Sequence, residues 1–174
     1  MINLYIKQKG FSLIELILYV ALLAIIVTSL VTFGVDVVLI RSKNRVEQEV
    51  IANTRLVAKR IDFEIRNASA INSVGAQSIS LANTAAIKNP TIISFSGGRI
   101  TIGWGSSGNC PTATPCFLTS SDVTVQSLLF DDMSSGTHPQ SIKYEVVVKS
   151  QLSGASKSYY YKEYATGSAE IRSK

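Results

Sequence analysis

The feature that most constrains this chain is an uncharged run near its start. Residues 16–35 contain no Asp, Glu, Lys or Arg. As a helix rising about 1.5 Å per residue, the run would extend about 30 Å, the thickness of the hydrocarbon core of a bilayer. After Asp36 the composition is that of an ordinary soluble domain, long enough to bury its own core. We therefore predict one membrane-spanning helix and one globular domain.

The charges around the run do not orient it in a membrane. Lys7 and Lys9 precede it, and residues 41–45 hold three further cations, so that the positive-inside rule is nearly neutral here. The orientation in the membrane must therefore be inferred from residues elsewhere in the chain.

Cys110 and Cys116 indicate the orientation. They are the only cysteines and lie in the Pro- and Thr-rich stretch GNCPTATPCF. Such a pair is most simply a disulfide, which forms outside the cytoplasm. A zinc site is the alternative, but two thiolates and the single His138 supply too few ligands. The disulfide predicts that the C-terminal domain lies outside and residues 1–10 inside.

The start of the run has an unusual order. An ordinary secretion signal places its apolar region before the cleavage site, whereas here a polar leader comes first, then Gly10 and Phe11, then Glu15 and the apolar run. At KGFSLIEL the sequence resembles the type IV pilin and pseudopilin family, whose precursors have a Gly-Phe junction and a glutamate five residues after the cut.

This resemblance implies processing by a membrane-embedded prepilin peptidase, which cuts after Gly10 on the cytoplasmic side and N-methylates Phe11. Loss of Lys7 and Lys9 with the leader would lower the formal net charge from +5 to +3. The implied location is the cytoplasmic membrane, as a single-pass protein, and then an extracytoplasmic filament. The implied partners are other pilin or pseudopilin subunits and an inner-membrane assembly platform.

The resemblance also implies a role for Glu15 in assembly. A charge at the centre of a membrane helix costs about 2.5–3.5 kcal/mol, and less near the edge where Glu15 would lie. The new amine of Phe11 on a neighbouring subunit would pair with this carboxylate, assisting extraction from the membrane and fixing the register of the subunit. The alternative is a carboxylate that snorkels to the membrane edge.

The helical pattern continues beyond the run. Apolar residues recur at spacings of three, four or seven, which is typical of one helix face: Val46, Val50, Val57, Ile61, Ile65 and Ala68. Opposite charges stand four residues apart on the other face: Lys43–Glu47, Arg45–Glu49, Arg60–Glu64 and Asp62–Arg66. Because no proline interrupts residues 11–72 and Gly75 offers a stop, we predict one helix of about 60 residues.

Beyond Gly75 the chain alternates like β-strands. TIISFS and RITIGW flank Gly97 and Gly98 as a hairpin, and DVTVQSLLF, SIKYEVVVK and SKSYYYKEY are further strands. We predict an α+β, pilin-like fold, in which a long N-terminal helix packs against an antiparallel sheet. The predicted parts are a leader (1–10), a membrane or filament-core half of the helix (11–35), an amphipathic half (36–75) and a β-rich head (76–174).

The stretch NTRLVAKRIDFEIRNASAI resembles the helix end of J-type minor pseudopilins of type II secretion and of W-type minor pilins. This resemblance implies a minor pilin or pseudopilin, a structural subunit that assembles into, and helps to prime, a type IV pilus-like or type II secretion filament. One alternative is a DNA-binding minor pilin of a competence pilus. The other is a membrane-anchored extracytoplasmic binding domain.

Motifs of catalysis are missing from the sequence. No nucleophile motif surrounds a serine or cysteine, and no phosphate-binding or dinucleotide-binding glycine pattern occurs. Asp131 and Asp132 could hold calcium, but no EF-hand pattern follows, so a polar turn is the simpler interpretation. We therefore predict no enzyme, no cofactor and no metal.

Nucleic-acid binding has one candidate stretch. The run Tyr159–Tyr160–Tyr161, with Lys157 and Lys162 beside it, could stack bases. An ordinary strand with two faces explains the same pattern, and the mature net charge is modest.

Overall fold

The structure, a computed structural model, describes residues 10, 12–110, 116–134, 140–151 and 160–172. The chain divides into two compact units, Met1–Ser42 and Lys43–Lys174. Its elements follow in the order helix α1 (Leu13–Asn67), β1 (Ala70–Gly75), β2 (Ser78–Ala82), a 3-10 turn (Ala86–Lys88), β3 (Thr91–Ser96), β4 (Arg99–Trp104), β5 (Val123–Asp132), β6 (Ser141–Ser150) and β7 (Lys162–Glu170). A long N-terminal helix followed by antiparallel sheets confirms the predicted α+β, pilin-like architecture.

Helix α1 is stabilised by charged residues in its first and last turns. Glu15 lies in its first turn and Arg66 in its last, so that each charge faces the helix terminus of opposite partial charge. The predicted end near Gly75 is wrong, because the helix stops at Asn67. From Ser69 onwards the chain pairs with β2 instead. The first contact is a hydrogen bond from the Ser69 amide to the Ala82 carbonyl at 2.9 Å. Gly75 ends strand β1, and the region 36–75 is therefore helix and strand together.

The strands form two antiparallel sheets. The first has the order β1-β2-β3-β4 and the second β5-β6-β7. The predicted β3–β4 hairpin is confirmed: Ser96 pairs with Arg99 around Gly97 and Gly98, which have φ of 59° and 76°. These positive values suit glycine at both turn positions.

A single sheet was expected, and the edge of β4 shows why two form. The segment after Cys116 occupies that edge, where the Ile102 amide donates to the Cys116 carbonyl at 2.9 Å and the Leu118 amide to the Ile100 carbonyl at 2.8 Å. Strand β5 therefore cannot pair along β4. It meets the first sheet at turns instead, donating from the Val125 amide to the Gly98 carbonyl at 2.8 Å.

The core of the second unit lies between α1 and the two sheets. The predicted apolar stripe is confirmed, since Val50, Val57, Ile61, Ile65 and Ala68 are all buried while Val46 is half-buried. The largest fully buried side chains from the sheets are Ile79, Leu81, Ile93, Ile100, Leu128 and Ile142. Burial of each such side chain contributes about 1.5–3 kcal/mol.

Tyr144 on β6 joins the second sheet to α1. Its hydroxyl donates to the Asp62 carboxylate at 3.0 Å and lies 3.2 Å from the Ala58 carbonyl oxygen. Burial raises the pKa of Tyr144 well above its ordinary value, and the hydrogen bond to Asp62 raises it further. Gly167 pairs with Tyr144 on the neighbouring strand, and a side chain there would overlap the phenol.

A second polar contact joins α1 to the segment before β5. The Asn53 amide group donates to a Glu49 carboxylate oxygen at 2.9 Å, and its oxygen accepts the Ser120 amide at 2.9 Å. The Ser120 hydroxyl lies 3.2 Å from the same Glu49 oxygen. Asn53 is buried, so these bonds satisfy a side chain that would otherwise be costly to bury.

Only part of the predicted charge pairing along α1 is present. The Arg60 guanidinium and the Glu64 carboxylate lie 2.6 Å apart. The other three predicted pairs do not form ion pairs among the described residues. Asp62 accepts a hydrogen bond from Tyr144 instead, and Glu49 accepts from Asn53.

Candidate functional site at the N-terminal end of the helix

The described residues of the N-terminal motif begin at Gly10 and continue into the first turn of α1. The Ser12 carbonyl accepts hydrogen bonds from the amides of Glu15 at 3.0 Å and Leu16 at 3.2 Å, so the helix begins directly after the Gly10–Phe11 junction. Gly10 and Glu15 are described and exposed. Phe11, the predicted methylation site, lies outside the described residues.

Glu15 is well suited to the position it occupies. A carboxylate in the first turn interacts favourably with the partial positive charge of the helix N-terminus. Within the described residues, Glu15 takes part in no ion pair. Its carboxylate is therefore free to accept a cation from outside the chain.

The helix surface that follows Glu15 is apolar and uncovered. Every residue from 13 to 36 is exposed in the single chain, and Leu13 is 76% exposed. The helix is long and apolar enough to cross a membrane by length and composition. Each large side chain here would gain about 1.5–3 kcal/mol on leaving water. This surface therefore needs a bilayer or other apolar helices around it.

The Ser and Thr hydroxyls within the apolar surface all donate to carbonyl groups of the preceding turn. Thr28 donates to the Ala24 carbonyl at 2.7 Å, Ser29 to that of Ile25 at 3.1 Å, and Thr32 to those of Ser29 at 3.0 Å and Thr28 at 3.2 Å. Internal bonds of this kind let hydroxyls enter a water-free environment at low cost.

The predicted disulfide between Cys110 and Cys116 is present, with Cα atoms 4.9 Å apart. It closes the excursion beside β4, between the Trp104–Asn109 and Thr101–Phe117 bridges. Residues 111–115 within this loop lie outside the described part of the chain.

The other candidate residues from the sequence form no common site among those described. Asp132 accepts the Ser134 amide at 2.9 Å, and hydrogen bonds from Ser134 lower the pKa of its carboxyl. Asp131 faces β6 rather than forming a turn, and His138 lies outside the described residues. In the ranges that the structure describes, no three His, Cys, Asp or Glu side chains are grouped to hold a metal ion.

Of the two described residues of the tyrosine run, Tyr160 is 50% exposed and Tyr161 is half-buried. Tyr159 and Lys157 lie outside the described residues. The Tyr161 ring packs against the core and its hydroxyl lies 3.0 Å from a Glu163 carboxylate oxygen. The ammonium of Lys162 lies 4.7 Å from the centre of the Tyr164 ring, which it partly covers.

Comparison with known families agrees with the geometry of the N-terminus. Residues 6–31 match the family model of the prokaryotic N-terminal methylation motif. The match includes the Gly10–Phe11 junction, Glu15 and the first part of α1. No curated protein and no solved structure matches the chain.

Proposed function

We infer that this chain, which carries the class III signal of type IV pilins and pseudopilins at residues 6–31, is a minor subunit of a filament related to type IV pili or type II secretion pseudopili. The observation that carries the inference is the motif at the start of an exposed apolar helix. A pilin-like subunit is what the motif supports by itself. The minor role, and a part in priming assembly, rest on the resemblance of residues 53–71 to J-type and W-type subunits.

The motif family is structural rather than enzymatic, and we propose the same for this chain. The order of events begins with insertion of the apolar helix into the cytoplasmic membrane. Prepilin peptidase then removes residues 1–10 and methylates the Phe11 amine. The head, held outside the cytoplasm, carries the Cys110–Cys116 disulfide, whose formation needs an oxidising compartment.

Assembly follows from the energetics of the exposed helix. Residues 11–35 leave lipid only when the helices of other subunits replace it, because their apolar side chains cannot remain in water. In that apolar bundle, an unpaired Glu15 carboxylate is costly, and the Phe11 amine of a neighbouring subunit offsets the cost. An inner-membrane platform would supply the work of extraction.

Mass spectrometry of the protein from its own cells tests the processing step. We expect a mature chain that starts at methylated Phe11, because the peptidase both cuts and methylates. An N-terminus at Met1, or an unmethylated Phe11 where the system is active, would contradict the proposal.

The substitution Glu15→Ala tests the assembly step. We expect the variant to insert into the membrane normally but to lose incorporation into filaments, because its neighbour's Phe11 amine has no counter-charge. Asp36→Ala is the matched control, since it removes an exposed carboxylate at the other end of the uncharged run and should assemble normally. Sheared-filament fractions and membrane fractions are compared by immunoblot.

A membrane-anchored binding domain is the main competing function, and the same pair of variants separates it. If the motif serves only as an anchor, Glu15→Ala and Asp36→Ala will behave alike. Equal recovery of both variants outside filaments would therefore favour the anchor.

A further inference from the structure

Between Arg45 and Arg66, the exposed basic residues of helix α1 lie on a different side from its acidic residues. The side turned away from the sheets carries four exposed cations together with two exposed apolar residues. We define this cationic face by Arg45, Arg55, Leu56, Lys59, Phe63 and Arg66. It contains no carboxylate. At about 1.5 Å per residue, it extends for about 31 Å along the helix.

The carboxylates of the same helical stretch are turned towards the head. Glu49 accepts from Asn53 and Ser120, Asp62 accepts from Tyr144, and Glu64 pairs with Arg60. The fourth carboxylate, Glu47, is half-buried. Intramolecular contacts therefore engage acidic groups of the helix and leave the basic ones of the cationic face outside.

Among the described residues, none of the four cations of this face forms an ion pair: Arg45, Arg55, Lys59 and Arg66. Leu56 and Phe63 lie two helical turns apart among them and are 56% and 54% exposed. A face that combines exposed apolar residues with exposed charges has the composition of a protein–protein interface.

We propose that the cationic face binds an acidic, amphipathic surface of a different subunit of the same filament, an inference that rests on the proposed function. Two copies of this face would repel each other, since neither offers a carboxylate, so the partner differs from this chain in sequence or in the surface used. A nucleic-acid backbone would satisfy the cations but would leave Leu56 and Phe63 without apolar cover. The observations therefore favour a protein over DNA, and an acidic surface of a second subunit type over a second copy of this helix face.

Site-specific photo-crosslinking of the full chain in its own cells tests this interface. One variant carries a photoreactive amino acid in place of Lys59, and a second carries it in place of Ile26 within the apolar helix. We expect the probe at 59 to form an adduct with another protein that carries an N-terminal methylation motif, through a segment of that protein rich in Asp and Glu. The probe at 26 should form adducts with filament subunits generally.

Charge reversal tests whether the contact is electrostatic. Arg55→Glu with Arg66→Glu should reduce the adduct at 59 about tenfold, because like charges now face each other across the interface. Adducts at 26 should be unchanged. The matched control is Lys88→Glu with Lys149→Glu, which reverses one charge beside the first sheet and one on the second and should not reduce the adduct. Replacing the crosslinked carboxylates of the partner by lysine should restore the adduct to the reversed variant.

Four results would overturn the inference while leaving the proposed function intact. They are adducts at 26 without adducts at 59, an adduct at 59 that charge reversal does not change, a nuclease-sensitive adduct with DNA, and an adduct at 59 joining two copies of this face. Absence of adducts with any filament subunit at both positions would refute the proposed function itself.

Discussion

At the scale of the residue, Tyr144 is held at both its ring and its hydroxyl group. Its ring lies against Gly167, where only a hydrogen fits, and its hydroxyl reaches the Asp62 carboxylate on α1. The second sheet is thereby joined to the helix by a hydrogen bond with a charged acceptor, which is stronger than one between neutral groups.

Tyr144→Phe keeps the ring and removes this hydrogen bond. We expect the free energy of unfolding to fall by about 1–2 kcal/mol, because Asp62 is only half-buried and water can partly replace the donor. Chemical denaturation monitored by circular dichroism measures the change. Tyr164→Phe is the matched control, since Tyr164 is an exposed tyrosine on the neighbouring strand, and equal losses in both variants would contradict the assignment.

The same substitution changes how stability depends on pH. Because folding raises the pKa of Tyr144, its contribution is fully present below the ordinary tyrosine pKa of about 10 and is lost as the pH rises above it. We expect the alkaline loss of stability to be smaller in Tyr144→Phe than in the unmodified protein. Unfolding curves at pH 8 to about 11 compare the two; parallel losses would argue against the contact.

At the scale of the element, the chain after β4 decides the arrangement of the sheets. The Cys110–Cys116 disulfide returns the chain to the edge of β4, where residues 116–118 bond to Ile100 and Ile102. Asn53 then holds the next residues, at Ser120, against α1. This short segment thus protects an open strand edge, which would otherwise be available for unwanted pairing.

Cys110→Ser with Cys116→Ser removes the crosslink. The free energy of unfolding should fall by about 2 kcal/mol, as the loop-entropy relation gives for a loop of this length. Denaturation of the head with and without a reductant provides the measurement. The reduced unmodified protein should match the double variant. If the double variant were as stable as the oxidised protein, the hydrogen bonds to β4 would be sufficient to hold residues 116–118 without the disulfide.

At the scale of the whole molecule, the two units have opposite relations to solvent. The unit Lys43–Lys174 contains every buried apolar residue of the described chain. The unit Met1–Ser42 exposes every described apolar residue of the helix except Val37, which is half-buried. One unit is built to be stable in water and the other to be surrounded by lipid or by other helices.

A fragment covering Lys43–Lys174 should therefore fold alone. We expect a monomer with a cooperative thermal transition, close to that of the head in the full chain held in detergent micelles, because the fragment keeps the whole described core. Calorimetry and size-exclusion chromatography test this. A fragment that aggregates or melts without cooperativity would show that residues before 43 contribute to folding of the head.

Much of the helix and part of the sheet arrangement could be predicted locally. The apolar stripe from Val50 to Ala68, the β3–β4 hairpin and the β5–β6 pair follow from periodicity and turn residues, which act between neighbours in sequence. Strands β1 and β2 were missed because AINSVG and SISLA have only six and five residues, and Gly75 suggested a helix stop instead. Their pairing with β3 is what makes them strands.

The candidate site could likewise be predicted from the sequence only in part. The sequence by itself determined the Gly10–Phe11 junction, Glu15 and the apolar helix, because a membrane segment and its signal are defined by composition and order along the chain. Tertiary structure decided that the Asp62 carboxylate accepts from Tyr144 and that the Glu49 carboxylate accepts from Ser120. Among the described residues, Arg45 and Arg66 therefore form no ion pair, because the carboxylates four residues away from them are engaged by groups that fold against the helix.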